Sequence, residues 1–139
     1  MTSAYEFSTE TDAVDRALVH RWLSEQSYWA KGRTRETQDA AIEGSRNYSV
    51  IKVASGRQVG YARVVTDGVT FAWLCDVFVD PEARGAGVGK LLIDGVVAHL
   101  DALGIYRVLL ATADAHGLYR QFGFTELAEP GRWLARGRT

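Results

Sequence analysis

Val79-Asp80-Pro81-Glu82-Ala83-Arg84-Gly85-Ala86-Gly87-Val88-Gly89-Lys90-Leu91-Leu92 decides how this chain is read. An apolar segment, Leu74 to Val79, enters a turn at Asp80-Pro81. Glycines then stand at 85, 87 and 89 between small residues, and an amphipathic helix follows at once. Alternating glycines let successive backbone N–H groups face one concavity. The helix adds its unpaired first-turn N–H groups and the positive end of its dipole. The combination is an anion site suited to a pyrophosphate. Arg84 and Lys90 flank it with positive charge.

Two common phosphate loops do not match. A P-loop needs a hydroxyl residue after Gly-Lys to reach magnesium, and Gly89-Lys90 is followed by Leu91. A dinucleotide fingerprint is G-x-G-x-x-G in a first βαβ unit, whereas these glycines lie in mid-chain. A third pattern is Gln/Arg-x-x-Gly-x-Gly/Ala between an antiparallel strand and a long helix, and Arg84, Gly87 and Gly89 satisfy it. The segment thus resembles motif A of the GNAT N-acetyltransferases, which hold the pyrophosphate of coenzyme A. On the glycines alone, a turn that merely caps a helix fits as well. A second segment, Leu118-Tyr119-Arg120-Gln121-Phe122-Gly123-Phe124, tips the balance. It resembles motif B of the same family, a short helix carrying Leu-Tyr and ending in Gly-Phe. Ala115 precedes the tyrosine by four residues, as in the family pattern. Thr112 stands where the family usually has asparagine. The resemblance runs from about Val50 to Phe124.

Composition narrows the class. The chain has 139 residues, 47% hydrophobic and 24% charged, enough apolar material for the core of one domain over 1–139. A net charge of −1 argues against a nucleic-acid surface. The single cysteine, Cys75, has no internal disulfide partner, so a cytoplasmic setting is expected. Residues 1–11 lack the apolar core of a signal peptide, and no apolar run reaches the roughly 18 residues of a membrane span.

Periodicity gives an α+β order. A strand is expected over Ala4–Ser8, and a helix capped by Asp12 up to about Ser24. Thr34 caps a second helix, to about Gly44. Strands at Tyr48–Ala54, Val59–Val65 and Thr70–Val79 read as an antiparallel meander, with Asp67-Gly68 as its second turn. The long helix runs from Gly87 to Leu103 and stops at Gly104. A strand at Arg107–Ala111, a helix at Ala115–Phe122 and a closing strand from Phe124 follow. The fold implied by the resemblance is a mixed, mostly antiparallel sheet flanked by helices, with a splayed central strand pair.

The resemblance also implies a site. In the family, the strand matching Leu74–Val79 splays from its neighbour and exposes backbone groups. The Val77 N–H would face the thioester oxygen, with Phe78 beside it, and the Val79 backbone would pair with pantetheine like an added strand. Arg84, Gly85, Ala86, Gly87, Val88, Gly89 and Lys90 would hold the pyrophosphate, and Thr112 would flank the pantetheine. Tyr119 would give a proton to the departing thiolate. A phenol has a reference pKa of about 10 against about 8.5 for a thiol, so it stays protonated at neutral pH. The alternative is a tyrosine that only packs on the coenzyme.

The base is open between Asp76, His116 and a water relay. Asp76 could orient an amine or relay its proton, although strand alternation puts it opposite Val77 unless a bulge intervenes. It is equally a strand-end carboxylate bonded to a backbone group or an arginine. His116, beside the last strand–helix turn, is the second choice. His20 and His99 are expected to face solvent, and Cys75 to be a small core residue. For the acceptor, Tyr28 and Trp29 could wall a pocket, at least one of them anchoring its own loop, with Arg63, Asp67 and Asp76 reaching the same cleft.

The function implied is an acetyl-CoA-dependent N-acetyltransferase. It would move the acetyl group directly to a primary amine of a small molecule or an exposed amino group, without a metal. A coenzyme-A-binding sensor with little turnover is the competing class. O-acetylation, a longer acyl donor and a homodimer stay open.

Overall fold

The structure, a computed structural model, describes residues 3–137. It contains β1 (Tyr5–Ser8), α1 (Arg16–Gln26), α2 (Arg35–Glu43), β2 (Arg46–Lys52), β3 (Arg57–Thr66), β4 (Ala72–Val79), α3 (Val88–Ala102), β5 (Val108–Leu109) and α4 (His116–Arg120). The five strands form one sheet in sequence order, β1-β2-β3-β4-β5. The first four pair antiparallel, and β5 joins β4 in parallel after the α3 crossover. This is the α+β, mostly antiparallel arrangement that the sequence order implies.

Each face of the sheet has its own core. On one face α3 lays Val88, Leu92, Ile93, Val96 and Leu100 against Tyr48, Val50, Val64, Ala72 and Leu74. Its spacing of apolar residues at three and four puts them on one stripe, and each fully buried side chain contributes about 1.5–3 kcal/mol. Gly95 brings α3 close to β1, because a Cβ there would sit 2.5 Å from the Phe7 ring. On the other face α1 and α2 bring Leu18, Trp22, Leu23 and Ile42 onto Tyr61 and Phe78. Trp22 stacks on Phe78 with centroids 5.4 Å apart.

Strand β4 changes phase in its middle. Tyr61 of β3 pairs with Phe78 and Arg63 pairs with Cys75, so Asp76 and Val77 together oppose the single residue Ala62. This is a β-bulge, and Asp76 sits in it at φ 54, the one described non-glycine residue with positive φ. Before the bulge the even residues Ala72 and Leu74 face α3; after it the odd residues Val77 and Val79 do. Phe78 is thereby turned into the α1/α2 core.

Three expected boundaries move. Helix α1 begins at Arg16, capped by Asp15, whose side chain accepts from Leu18 N–H at 3.1 Å. Asp12 lies in a short 3-10 turn, Thr11–Ala13. Asp15 wins because its own N–H is also held by Gln58 Oε1 at 2.7 Å, which fixes the entry of the chain. Strand β5 is only two residues long, since the chain parts from β4 beyond Leu109. The closing strand expected from Phe124 is absent among the described residues. That segment holds a 3-10 turn at Pro130–Arg132, where Pro130 has no N–H to offer a ladder.

Candidate active site

A cleft of about 830 Å³ opens at the C-terminal end of β4. Val77, Phe78 and Val79 form its floor, the turn from Arg84 to Lys90 one wall, and α4 and the Tyr28-Trp29 loop the others. The floor is reachable because β4 and β5 pair only at Ala72–Val108 and Trp73–Leu109 and then diverge. The divergence is the splay expected between these two strands.

The glycine turn has the backbone that its residues demand. Gly85 lies at φ 86 and Gly87 at φ 80, left-handed conformations that cost a side-chain-bearing residue about 1–2 kcal/mol. A Cβ on either would meet nothing within 4 Å, so the space before the turn is open. Gly87 is also the N-cap of α3, and its carbonyl receives the first helical bond, from Leu91 N–H. The N–H groups of Val88, Gly89 and Lys90 precede that bond and have no helical acceptor. Ala86 is exposed at the tip of the turn and Lys90 is exposed beside it. Arg84 folds back: its Nε donates to the Val79 carbonyl at 3.1 Å, and its guanidinium lies 5.3 Å from the Phe78 ring centroid.

Tyr119, on α4, lines the same cleft. It is buried and packs edge-on against Phe124 with centroids 5.9 Å apart. Burial, then the nearby Asp114 carboxylate and Tyr28, push its pKa up to about 12. Tyr28 reaches across the splay, where its hydroxyl accepts from Ala113 N–H at 3.0 Å. Trp29 meets the Tyr28 ring edge-on at 5.0 Å. Gln26, Ala83, Asp114 and Leu118 also line the cleft and were not singled out from sequence. Leu118 was within reach, since it immediately precedes the tyrosine of the second segment.

Asp76 lies behind Trp29. One carboxylate oxygen accepts from Trp29 Nε1 at 2.9 Å; the other accepts from Arg33 Nη1 at 2.7 Å and Arg63 Nε at 2.6 Å. Its side chain is 1% exposed, and those of Arg33 and Arg63 are 18% and 15% exposed. Burial alone would raise the pKa of Asp76; the hydrogen bond from Arg33 and the charge of Arg63 outweigh it and hold the carboxyl below its ordinary value. Such an acid is charged, saturated with donors and poorly suited to take up a proton. Even with the bulge Asp76 lies opposite Val77, which packs toward α3, and its carboxylate is held in a clamp. Arg33 was not singled out as a site residue. It enters through a contact 43 residues away in sequence.

Other expected residues lie elsewhere. Arg63 is behind the cleft wall, bonded to Asp76 and to Ser45 Oγ. Thr112 turns its hydroxyl into its own loop, accepting from Ala115 and Asp114 N–H groups, and lines a second cavity along β5, as does His116. Asp67 stays in the β3–β4 turn, where Val69, Thr70 N–H and the Thr70 hydroxyl occupy its carboxylate. His20 and His99 are not solvent-facing groups. Each is half-buried and bonded, His20 Nε2 with the Arg33 carbonyl at 2.8 Å and His99 Nδ1 with the Tyr48 hydroxyl at 2.9 Å. Cys75 is unactivated, its thiol pushed up to about 11 by burial.

Comparison with known proteins agrees with this geometry. The model of the acetyltransferase (GNAT) family matches residues 16–124. A crystal structure from Xanthomonas campestris pv. campestris, assigned to the GNAT family, is 42% identical with a TM-score of 0.91, covering 99% of this chain and 96% of that one. Rv2747 of Mycobacterium tuberculosis, solved in complex with CoA, shares the fold at 19% identity and a TM-score of 0.71, over 88% of this chain and 72% of its own. Among curated proteins, serotonin N-acetyltransferase 2 of Oryza sativa subsp. japonica is 38% identical over 72 residues. That match takes in 51% of this chain and only 36% of the rice protein. With the family model matched along most of its length and a close structural neighbour over nearly all of it, the chain belongs to the GNAT acetyltransferase family.

Proposed function

We propose that the protein is an acetyl-CoA-dependent N-acetyltransferase acting on a primary amine. The observation that carries this reading is the convergence, in one cleft, of the glycine turn at the head of α3, the splayed end of β4 and Tyr119. Family membership supports the donor, as does the CoA bound by the Mycobacterium relative of the same fold. The N–H groups of Val88, Gly89 and Lys90 receive the pyrophosphate, with Lys90 and a repositioned Arg84 supplying charge. The exposed backbone of Val77 to Val79 holds the pantetheine arm and polarises the thioester carbonyl.

The amine attacks the thioester carbon; a C–N bond forms and the C–S bond breaks. The amine proton leaves to solvent, and Tyr119 donates to the thiolate. Its raised pKa keeps that donor protonated throughout the neutral range. Asp76 serves as a positioning residue: through Trp29 and Arg33 it fixes the loop that walls the acceptor side.

Calorimetry and thermal shift with acetyl-CoA, without added metal, test the donor. At a hundred times Kd the stabilisation is about 2.7 kcal/mol, which for 139 residues is roughly 9 °C. A shift produced by ATP and not by coenzyme A would overturn the assignment. Thiol release with a panel of primary amines tests the transfer.

A further inference from the structure

A second cavity, of about 470 Å³, runs along the outer edge of β5. Among the described residues no strand covers that edge; the segment after α4 roofs it. The volume falls within the range of small-molecule sites, roughly 300–1,000 Å³. Phe71, Trp73, Leu110, Phe124, Leu127 and Trp133 make its walls. Trp73, Leu127 and Trp133 remain 36–42% exposed, a concentration of large apolar side chains at one place on the surface. Trp133 is held there by the Arg107 guanidinium, 5.5 Å from its ring centroid. The charged side chains of the lining are the largely exposed Arg120–Glu126 pair at 3.2 Å, and Thr112, His116 and Thr125 are its other polar members.

Tyr119 lines both this cavity and the coenzyme cleft. A ligand lying along β5 therefore ends at the residue proposed to face the sulfur. An acceptor polar along its whole length would give up hydration for walls that are mostly apolar and offer it few partners. An acceptor with one amine and an apolar ring fits both ends of the space. The geometry points to this cavity as the binding site for the ring-bearing, apolar body of the acceptor, with its primary amine delivered to Tyr119. The inference rests on the transferase reading above and adds the substrate class to it.

The test is thiol release at saturating acetyl-CoA with 2-phenylethylamine, putrescine and glucosamine as acceptors. The expected result is a kcat/KM for 2-phenylethylamine at least about 10-fold above the other two. Leu127→Glu, a change at a half-exposed wall position, raises KM for 2-phenylethylamine about 10-fold and leaves acetyl-CoA affinity unchanged. Faster turnover of the polar amines, insensitive to Leu127→Glu, would overturn the cavity assignment and leave the transferase reading standing. Absence of thiol release with every amine would overturn the transferase reading. In that event tryptophan quenching by 2-phenylethylamine, weakened in Leu127→Glu, supports the cavity as an amine site, and no quenching overturns it.

Discussion

Replacing Asp76 by asparagine separates a clamp from a base. Asparagine tolerates a left-handed backbone better than most residues, so φ 54 is kept at little cost. The shape survives and one charge is lost. Arg33 and Arg63, whose side chains are 18% and 15% exposed, then face one another without a counter-ion. Removing one partner of a buried ion pair costs about 3–5 kcal/mol, and their partial access to water places this case near about 3. At about 2.1 cal/mol/K per residue over 139 residues, the melting temperature falls by about 10 °C. The Trp29 loop loosens with the clamp, so KM for the amine rises more than kcat falls. Thermal unfolding and steady-state kinetics on the same preparation read both effects. A drop in kcat of about 10²- to 10⁴-fold, with Tm unchanged, is what loss of a general base would give, and it would refute the positioning role.

Tyr119→Phe lowers kcat and kcat/KM alike, by about 10²- to 10⁴-fold, while calorimetry shows acetyl-CoA affinity nearly intact; an unchanged kcat removes it as the acid. Gly87→Val places a β-branched residue at φ 80 before the anion turn and abolishes acetyl-CoA binding, with circular dichroism still reporting a folded chain. Gly95→Ala drives a methyl group into Phe7 and costs about 1–3 kcal/mol in urea unfolding, with kcat unaffected. Tyr48 and Tyr119 are both raised from 10.0 to about 12, so the folded chain holds their protons more tightly than the unfolded one. Their contribution is complete below pH 10.0 and is lost between there and about pH 12, and Tyr119→Phe shallows that loss. Asp76 has the opposite sign: its folded pKa is depressed, so its stabilisation is present above the ordinary carboxylate range and disappears as the pH falls below it.

What the sequence made legible was local or repetitive. Gly85 and Gly87 announce positive φ by being glycines, and α3 declares its buried stripe through the spacing of Val88, Leu92, Val96 and Leu100. Thr34 was readable as a cap because no rival stood near it; its side chain accepts from Thr37 N–H. Asp12 and Asp15 were rivals, and the winner was set by Gln58, 43 residues from Asp15. The bulge at Asp76 left no mark in composition, since an aspartate in an apolar strand reads equally as a base or a strand-end charge. Only the meeting of Arg33, Arg63 and Trp29 around it decides between them. The histidines failed for the same reason: a helix position does not tell whether a carbonyl or a tyrosine lies across from it. Beyond Phe124 the expected strand had too little alternation to outweigh Pro130 and Gly131.

The bulge in β4 binds the foldability of this chain to its chemistry through one residue. A stability-guided redesign would exchange Asp76 for glycine, which relaxes a left-handed backbone at once. That exchange would strand two guanidinium groups and unfasten the Trp29 indole that lines the cleft. Stability and the shape of the cleft therefore depend on the same carboxylate at residue 76, and improvement of either must begin elsewhere in the chain.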